Sequence, residues 1–142
     1  MHEPLHPAGW AQAKGYSNGV AAEGRQIYVA GQIGWTGEQE FETDDFAAQV
    51  EQALANIVAV LAAGGAGPEH IVRMTWYVLD KTEYVARLPE VGAAYRRVIG
   101  RTYPAMTLVQ VAGLVEDRAK VEIEATAVVG AAKKARVKKA RT

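Results

Sequence analysis

The sequence predicts one α+β domain, a mostly antiparallel sheet that carries two helices on one face. Its 142 residues are 49% hydrophobic and 23% charged, which suits a single domain with a core of its own. Two stretches have apolar residues at helical spacing, and they lie among short segments rich in β-branched and aromatic residues. Short turns join most neighbouring segments, which favours antiparallel pairing. The predicted order is strand, strand, helix, strand, helix, strand, strand.

The first half of the chain predicts a hairpin followed by a helix. The two strands are Tyr16 to Ala21 and Arg25 to Ala30, and Glu23-Gly24 between them indicates a turn. The helix is predicted from Thr43, as its N-cap, to a stop at Gly64-Gly65. Between these bounds apolar residues recur at steps of three and four: Phe46, Val50, Ala53, Leu54, Ile57, Val60 and Leu61.

The second half predicts three strands and one more helix. Ile71 to Leu79 is predicted to be a strand because it is β-branched and aromatic, and only Arg73 interrupts the apolar residues on its two faces. Pro89 is predicted to open the second helix, and Gly100 to end it. The last two strands are predicted at Met106 to Ala112 and Lys120 to Val129.

Two-sided strands predict contact with other subunits. The two helices cover one face of the sheet, so we expect the second face to pack against other copies of the chain rather than water. A sheet face buried within one chain is the competing explanation, but the sequence predicts no further helix to cover it. Glu122 and Glu124 point the same way from the last strand. They are either solvated or, at an interface, paired or functional, because an unpaired buried charge is costly.

Charge divides the chain into a body and a tail. Six of the 16 basic residues and none of the 16 acidic residues lie in the last ten positions, so the rest of the chain is acidic. We expect a flexible N-terminus over residues 1–9, one domain over residues 10–130 and a basic disordered tail over residues 131–142. The acidic body disfavours nucleic acid as a partner, except through the tail.

Composition excludes several kinds of site and location. Without cysteine the chain has no disulfide, no thiolate nucleophile and no cysteine-based metal site, and three histidines leave little material for a histidine cluster. The sequence therefore predicts no metal and no cofactor. We find no apolar run near the roughly 20 residues of a membrane span and no secretory signal. The predicted location is the cytoplasm, without a membrane partner.

Two further motifs predict structure rather than chemistry. The glycines from Gly31 to Gly37 lack the Lys-Ser/Thr of a phosphate-binding loop and indicate turns. His70 follows Pro68-Glu69 at the entrance of a strand, where an exposed or capping histidine is more typical than a catalytic one. The chain also lacks a Gly-x-Ser-x-Gly elbow, so serine hydrolysis is disfavoured.

Four segments of the sequence form one combined pattern. They are Gly15-Tyr16-Ser17-Asn18-Gly19-Val20, Ala30-Gly31-Gln32-Ile33, Gln49 to Ile57 with its Gly64-Gly65 stop, and Pro104-Ala105 through Val121-Glu122-Ile123-Glu124-Ala125. Over residues 10–129 this pattern resembles the RidA/YjgF family, also called endoribonuclease L-PSP. The resemblance implies a chorismate-mutase-like α+β fold and a homotrimer with three clefts between subunits. In the family's active deaminases these clefts hydrolyse enamine or imine intermediates, released by pyridoxal-phosphate enzymes, to a 2-keto acid and ammonia.

The resemblance also implies site residues. Glu124 matches the acid that positions water, and Tyr16 and the backbone of Gly31 match positions that contact substrate. An imino acid further needs a cation for its carboxylate, preferably a guanidinium that binds both oxygens. The family's arginine directly after Pro-Ala is here Met106. Arg101 is the candidate substitute cation, against the alternative of a surface loop cation.

Other departures from the family leave the function open. Gly92 falls nearest the family's cleft asparagine, and Lys81 to Pro89 is a few residues longer than usual. Loss of a charge-assisted contact costs roughly 1.5 to 3 kcal/mol and weakens carboxylate binding about tenfold to a hundredfold, while Met106 makes the cleft more apolar.

Three functions therefore stand side by side. The first is an altered enamine or imine hydrolase for a 2-keto or 2-imino acid or a more apolar analogue. The second is a ligand-binding or protein-binding trimer without chemistry, and the third is ordinary deamination with a substitute cation. An endoribonuclease or translation inhibitor is disfavoured by the acidic body and by the lack of a histidine pair suited to RNA cleavage.

Overall fold

The structure, a computed structural model, describes residues 2–130. The basic tail predicted at 131–142 lies outside the described residues. The elements are β1 (Glu3–Leu5), β2 (Gly19–Ala21), β3 (Arg25–Ile33), α1 (Phe46–Ala63), a 3₁₀ turn (Pro68–His70), β4 (Ile71–Val78), α2 (Lys81–Ala86), α3 (Leu88–Val98), β5 (Ala105–Gln110) and β6 (Val121–Val129). The predicted α+β class is confirmed.

The main sheet has four strands in the order β3-β6-β4-β5. β6 is antiparallel to both β3 and β4, whereas β4 and β5 are parallel because the chain crosses over through α2 and α3 between them. The sheet is thus mostly antiparallel, as predicted. β6 lies inside it, and β5 is an edge strand that does not pair with β6, its neighbour in the sequence.

The predicted hairpin between the first two strands is wrong. β2 pairs with β1, and β3 pairs with β6. Gly24, with a φ of 145°, packs so closely on the end of β6 that a Cβ would lie 2.0 Å from the carbonyl oxygen of Val129. This turn therefore carries the chain onto β6 instead of back along β2. Part of the N-terminal segment predicted to be flexible, Glu3–Leu5, forms a strand.

Helix α1 has the predicted apolar face, but its N-cap is Asp45 rather than Thr43. The Asp45 carboxylate accepts a hydrogen bond from Ala48 N at 3.0 Å, while the Thr43 hydroxyl accepts one from Asp45 N at 3.0 Å. The helix ends as predicted at Gly64, followed by Gly65 with a φ of 74°. By length and composition α1 would suit a membrane span, yet here its apolar face packs on the sheet as the core helix.

A buried glutamine ties α1 to the loop that leads into β6. The side chain of Gln49 is fully buried. Its Nε2 donates to the carbonyl oxygens of Thr43 at 3.1 Å and Arg118 at 3.0 Å, and its Oε1 accepts from Lys120 N at 2.9 Å. Gly34 leaves the room for this arrangement, because a Cβ there would lie 2.5 Å from Gln49 Cβ. The start of β6 is therefore fixed by a side chain of the helix.

Residues 2–130 contain three helices, where two were predicted. The extra helix, α2, is capped by Asp80, whose carboxylate accepts from Thr82 N at 2.8 Å. α3 has Pro89 in its first turn and is followed by Gly100 with a φ of 88°, as predicted. These two short helices form the crossover connection from β4 to β5.

The outer face of the sheet, the side away from the helices, is more polar than predicted. A β-bulge between Ile71 and Arg73 turns Ile71 inward, so β4 presents Arg73, Thr75 and Tyr77 outward. Tyr28 of β3 stands on the same face with 72% of its surface exposed. β4 therefore lacks the apolar residues on both sides from which contact with other subunits was predicted. Within residues 2–130 no helix covers this face, and the Tyr28 ring is exposed on it.

Candidate functional site

A cleft of about 460 Å³ lies between the edge strand β5 and helices α2 and α3. Met106 lines it from β5 and pairs with the fully buried Met74 of β4, so both side chains point toward the helices. Thr107, the next residue, lines the cleft as well. Since successive residues of a strand face opposite sides of a sheet, the cleft opens at the sheet edge. We call it the aromatic cleft, after its rings Tyr16, Trp76, Tyr84, Tyr95 and Tyr103.

Packing holds the rings of the aromatic cleft in place. Tyr95 and Tyr103 stack with ring centroids 5.9 Å apart and planes 11° apart. Trp76 lies edge-on to Tyr84, with centroids 6.4 Å apart. The Tyr95 hydroxyl donates to the carbonyl oxygen of Thr102, and burial raises the pKa of Tyr95 and of Tyr84. Both phenols are therefore neutral at pH 7 and present apolar faces to a ligand.

Trp76 contributes a polar atom without a partner. The side chain is 3% exposed, and its Nε1 makes no hydrogen bond in residues 2–130. A buried donor without an acceptor costs about 1 to 3 kcal/mol.

The mouth of the cleft is formed by the segment that precedes β2. Ser17 N donates to the carbonyl oxygen of Pro104 at 3.0 Å, and Ser17 Oγ donates to that of Tyr103 at 2.6 Å. Ser17 also forms a parallel bridge with Ala105 at the start of β5. These bonds hold Tyr16, which is 42% exposed, at the rim of the cleft.

Gly31 lies against Glu122 on the outer face. A Cβ at Gly31 would stand 2.3 Å from Glu122 Oε1 and 2.8 Å from its Cδ, so the carboxylate rests where a larger residue would place its side chain. Glu124, the predicted acid, is instead held by Tyr77, whose hydroxyl donates to Glu124 Oε1 at 2.8 Å. This hydrogen bond stabilises the neutral phenol and raises the pKa of Tyr77. Of the two glutamates, Glu122 is the one beside Gly31.

The predicted site residues fall into two groups in a single chain. Tyr16 and Met106 meet in the aromatic cleft, whereas Gly31 and Glu124 lie on the outer face. Arg101, the predicted substitute cation, is exposed in the turn between α3 and β5 and does not line the cleft. A single chain therefore brings together only half of the predicted site.

Sequence reasoning missed two cations, Lys14 and Arg96, which both line the aromatic cleft. The signal for Arg96 was its spacing: it lies four residues after Gly92 and therefore on the same face of α3. Lys14 has no comparable signal in the sequence, because the position of Lys14 depends on the contacts that Ser17 makes with Pro104 and Ala105.

Comparisons with known proteins find similar sequences over most of the chain. The family model described as endoribonuclease L-PSP matches residues 8–129. Protein DfrA of Myxococcus xanthus is 37% identical over 115 residues, which cover 80% of this chain and 84% of that protein. The 2-iminobutanoate/2-iminopropanoate deaminase of Escherichia coli K12 is 35% identical over 108 residues, covering 74% of this chain and 80% of the enzyme.

A solved structure extends the likeness to three dimensions. The protein of unknown function of the conserved Rid protein family, YyfB, from Yersinia pestis has a TM-score of 0.81 and 29% identity, covering 90% of this chain and 98% of that one.

Proposed function

Because this chain belongs to the RidA/YjgF family, described as endoribonuclease L-PSP, we propose that it is a homotrimer that hydrolyses an enamine or imine in clefts between subunits. The family includes 2-iminobutanoate/2-iminopropanoate deaminases. The proposal keeps their reaction class and changes the substrate, since Met106 occupies the place of the clamp arginine.

One observation carries the proposal: the two halves of the predicted site lie on different surfaces of the chain. Tyr16 and Met106 line the aromatic cleft at the sheet edge, while Gly31 and Glu124 lie on the outer face. One subunit alone therefore keeps the acid away from the cleft. A second subunit packed with its outer face against that edge would bring its glutamates to the cleft of the first.

The outer face supports such packing. Tyr28 is 72% exposed there, and a shallow groove of about 460 Å³ runs beside it, lined by Arg73, Glu124 and Thr126 among others. Arg73 has no ion pair within residues 2–130. Burying an unpaired charge is costly, so the proposal requires Arg73 to meet an acceptor of the neighbouring subunit.

The glutamates supply what imine hydrolysis needs. Water attacks the imine carbon, a carboxylate accepts its proton, and the nitrogen takes up protons as the carbon–nitrogen bond breaks to release ammonia and leave a carbonyl group. The Glu122 carboxylate lies over the bare Cα of Gly31, where a larger residue would displace it. Glu124 is oriented by the Tyr77 hydroxyl. We assign the activation of this water to Glu122 and Glu124, of which Glu122 contacts Gly31.

Turnover of generated imines tests the reaction. An amino-acid oxidase or a pyridoxal-phosphate dehydratase generates the imine, and release of the 2-keto acid is followed with and without the protein. We expect acceleration that falls at least tenfold in Glu122→Gln or Glu124→Gln. Glu116→Gln, in the exposed loop before β6, is the matched control and keeps the wild-type rate.

Mass and binding separate the alternatives. Light scattering of the dilute protein should give three times the chain mass of 15.3 kDa, and a monomer mass would contradict the shared cleft. Ligand binding without turnover of any imine would instead favour a binding trimer that lacks the chemistry.

A further inference from the structure

The charge of the aromatic cleft comes from two side chains of one sign. Lys14 and Arg96 line it, and no aspartate or glutamate of the described residues does so. Both cations are exposed in the free chain. A cleft with aromatic walls and only positive charge favours an anionic ligand with an apolar body.

The Arg96 side chain lies close to Gly92, one turn earlier on α3. A Cβ at Gly92 would stand 3.3 Å from Arg96 Nη1, closer than ordinary van der Waals contact. The guanidinium therefore lies back over the glycine, beside the cleft that both residues line. A methyl group at Gly92 would push the guanidinium away by a few tenths of an ångström.

Arg96 is also free to bind a ligand. Three other arginines on the helical side each hold a carboxylate at 2.8 to 3.0 Å: Arg87 with Asp45, Arg97 with Glu51 and Arg118 with Asp44. Within residues 2–130 Arg96 has neither an ion pair nor a side-chain hydrogen bond. Its neighbour Arg97 in the same helical turn is committed to Glu51, so only Arg96 offers its five donors to the cleft.

We infer that Arg96, assisted by Lys14, is the carboxylate-binding group of this cleft, and that the ligand is an aromatic carboxylate, such as an aromatic 2-keto or 2-imino acid. This inference rests on the proposed function for the reaction but not for the binding. The guanidinium binds the carboxylate, and the ring lies against Tyr95, Tyr103 and the Met106 thioether.

The size of the cleft agrees with a ligand that carries a ring. Its volume of about 460 Å³ lies within the range of about 300 to 1,000 Å³ typical of sites for drug-sized molecules. In this arrangement the cation has moved from strand β5, where Met106 stands, to helix α3. A substrate with a small aliphatic body would reach Arg96 without filling the space beside the rings.

Calorimetric titration of the intact oligomer tests the inference. The probes are 3-phenylpropanoate, its neutral isostere 3-phenylpropanamide, and butanoate, which lacks the ring. We expect wild type to bind 3-phenylpropanoate about tenfold to a hundredfold more tightly than the amide, the effect of one charge-assisted hydrogen-bonded pair. Butanoate should bind more weakly than 3-phenylpropanoate because it leaves the aromatic walls uncovered.

Variants then locate the cation. Arg96→Gln should lose that tenfold to hundredfold preference for the acid and leave the affinity for the amide unchanged, and Arg96→Lys should keep part of it. Gly92→Ala, which crowds the guanidinium, should also lower the affinity for the acid. Arg97→Gln and Arg101→Gln are matched controls that keep the wild-type affinity.

Each outcome decides one question. Equal affinity for the acid in wild type and Arg96→Gln, no detectable binding of the acid, or a loss in Arg101→Gln would overturn the inference. Binding that depends on Arg96 without turnover of phenylalanine-derived imine refutes the proposed reaction and leaves the inference standing. Turnover of that imine with an unchanged KM in Arg96→Gln refutes the inference and leaves the proposed reaction standing.

Discussion

Replacing Gln49 by leucine should destabilise the fold without touching the cleft. The side chain is fully buried and makes three hydrogen bonds of 2.9 to 3.1 Å, to the carbonyls of Thr43 and Arg118 and the N–H of Lys120. Leucine has similar volume and leaves all three backbone groups unpaired. At about 1 kcal/mol for each lost hydrogen bond, the free energy of unfolding should fall by about 3 kcal/mol.

Urea unfolding at one fixed protein concentration measures this loss, since association would otherwise shift the midpoint. The matched control is Gln52→Leu in the same helix, where the amide bonds only to Asn56 Oδ1 at 2.8 Å. Such a pair one turn apart contributes roughly 0.2 to 0.5 kcal/mol. If Gln49→Leu costs no more than Gln52→Leu, the buried glutamine does not fix the entry of β6 and the reasoning fails.

Three other changes have defined outcomes. The hydrogen bond from Arg87 holds the pKa of Asp45 below its ordinary value of 3.8, so this stabilisation is complete above that pH and is lost as the pH falls through the folded-state pKa. Asp45→Asn should therefore flatten the acid limb of stability below about pH 4 in thermal melts, and an unchanged limb would refute the assignment. Truncation after Gly130 should leave the melting temperature and oligomer mass unchanged, because the last strand ends at Val129; a drop of several degrees would mean that the tail is docked. Met106→Arg should gain affinity for 2-oxobutyrate in titrations more readily than it gains turnover. A wild-type protein that binds 2-oxobutyrate as tightly as the variant would refute the idea that Met106 weakens carboxylate binding.

Local sequence patterns were sufficient for most elements. Apolar spacing identified α1 and the inner face of α3, because a helix with one buried stripe must repeat its apolar residues every three to four positions. Pro89, Gly64 and Gly100 marked the helix ends, since each has a backbone preference that acts within a few residues. The N-cap of α1 is Asp45 rather than the predicted Thr43, because both residue types are good caps and only the surrounding contacts select one.

The pairing between strands was harder to predict from the sequence. Glu23-Gly24 has the composition of a hairpin turn, yet Gly24 packs on Val129, a contact more than 100 positions away that no local pattern encodes. The bulge between Ile71 and Arg73 likewise turned Ile71 inward, so the outer side of β4 is more polar than expected. Register depends on which strand finally lies alongside, so a turn motif predicts a turn and not a partner.

The sequence by itself determined the fold class and the family, because both are written in residue type and spacing. Only the tertiary structure decided which charged groups face the cleft. Arg96 and Arg101 are both arginines near the end of α3, and the sequence does not rank them. Arg96 lines the cleft from α3, whereas Arg101 lies exposed in the turn that follows the helix, and the cleft exists only once α3 has packed beside β5. In the same way Glu122 and Glu124 are equivalent along the strand, and only the approach of Gly31 and Tyr77 across the sheet distinguishes them.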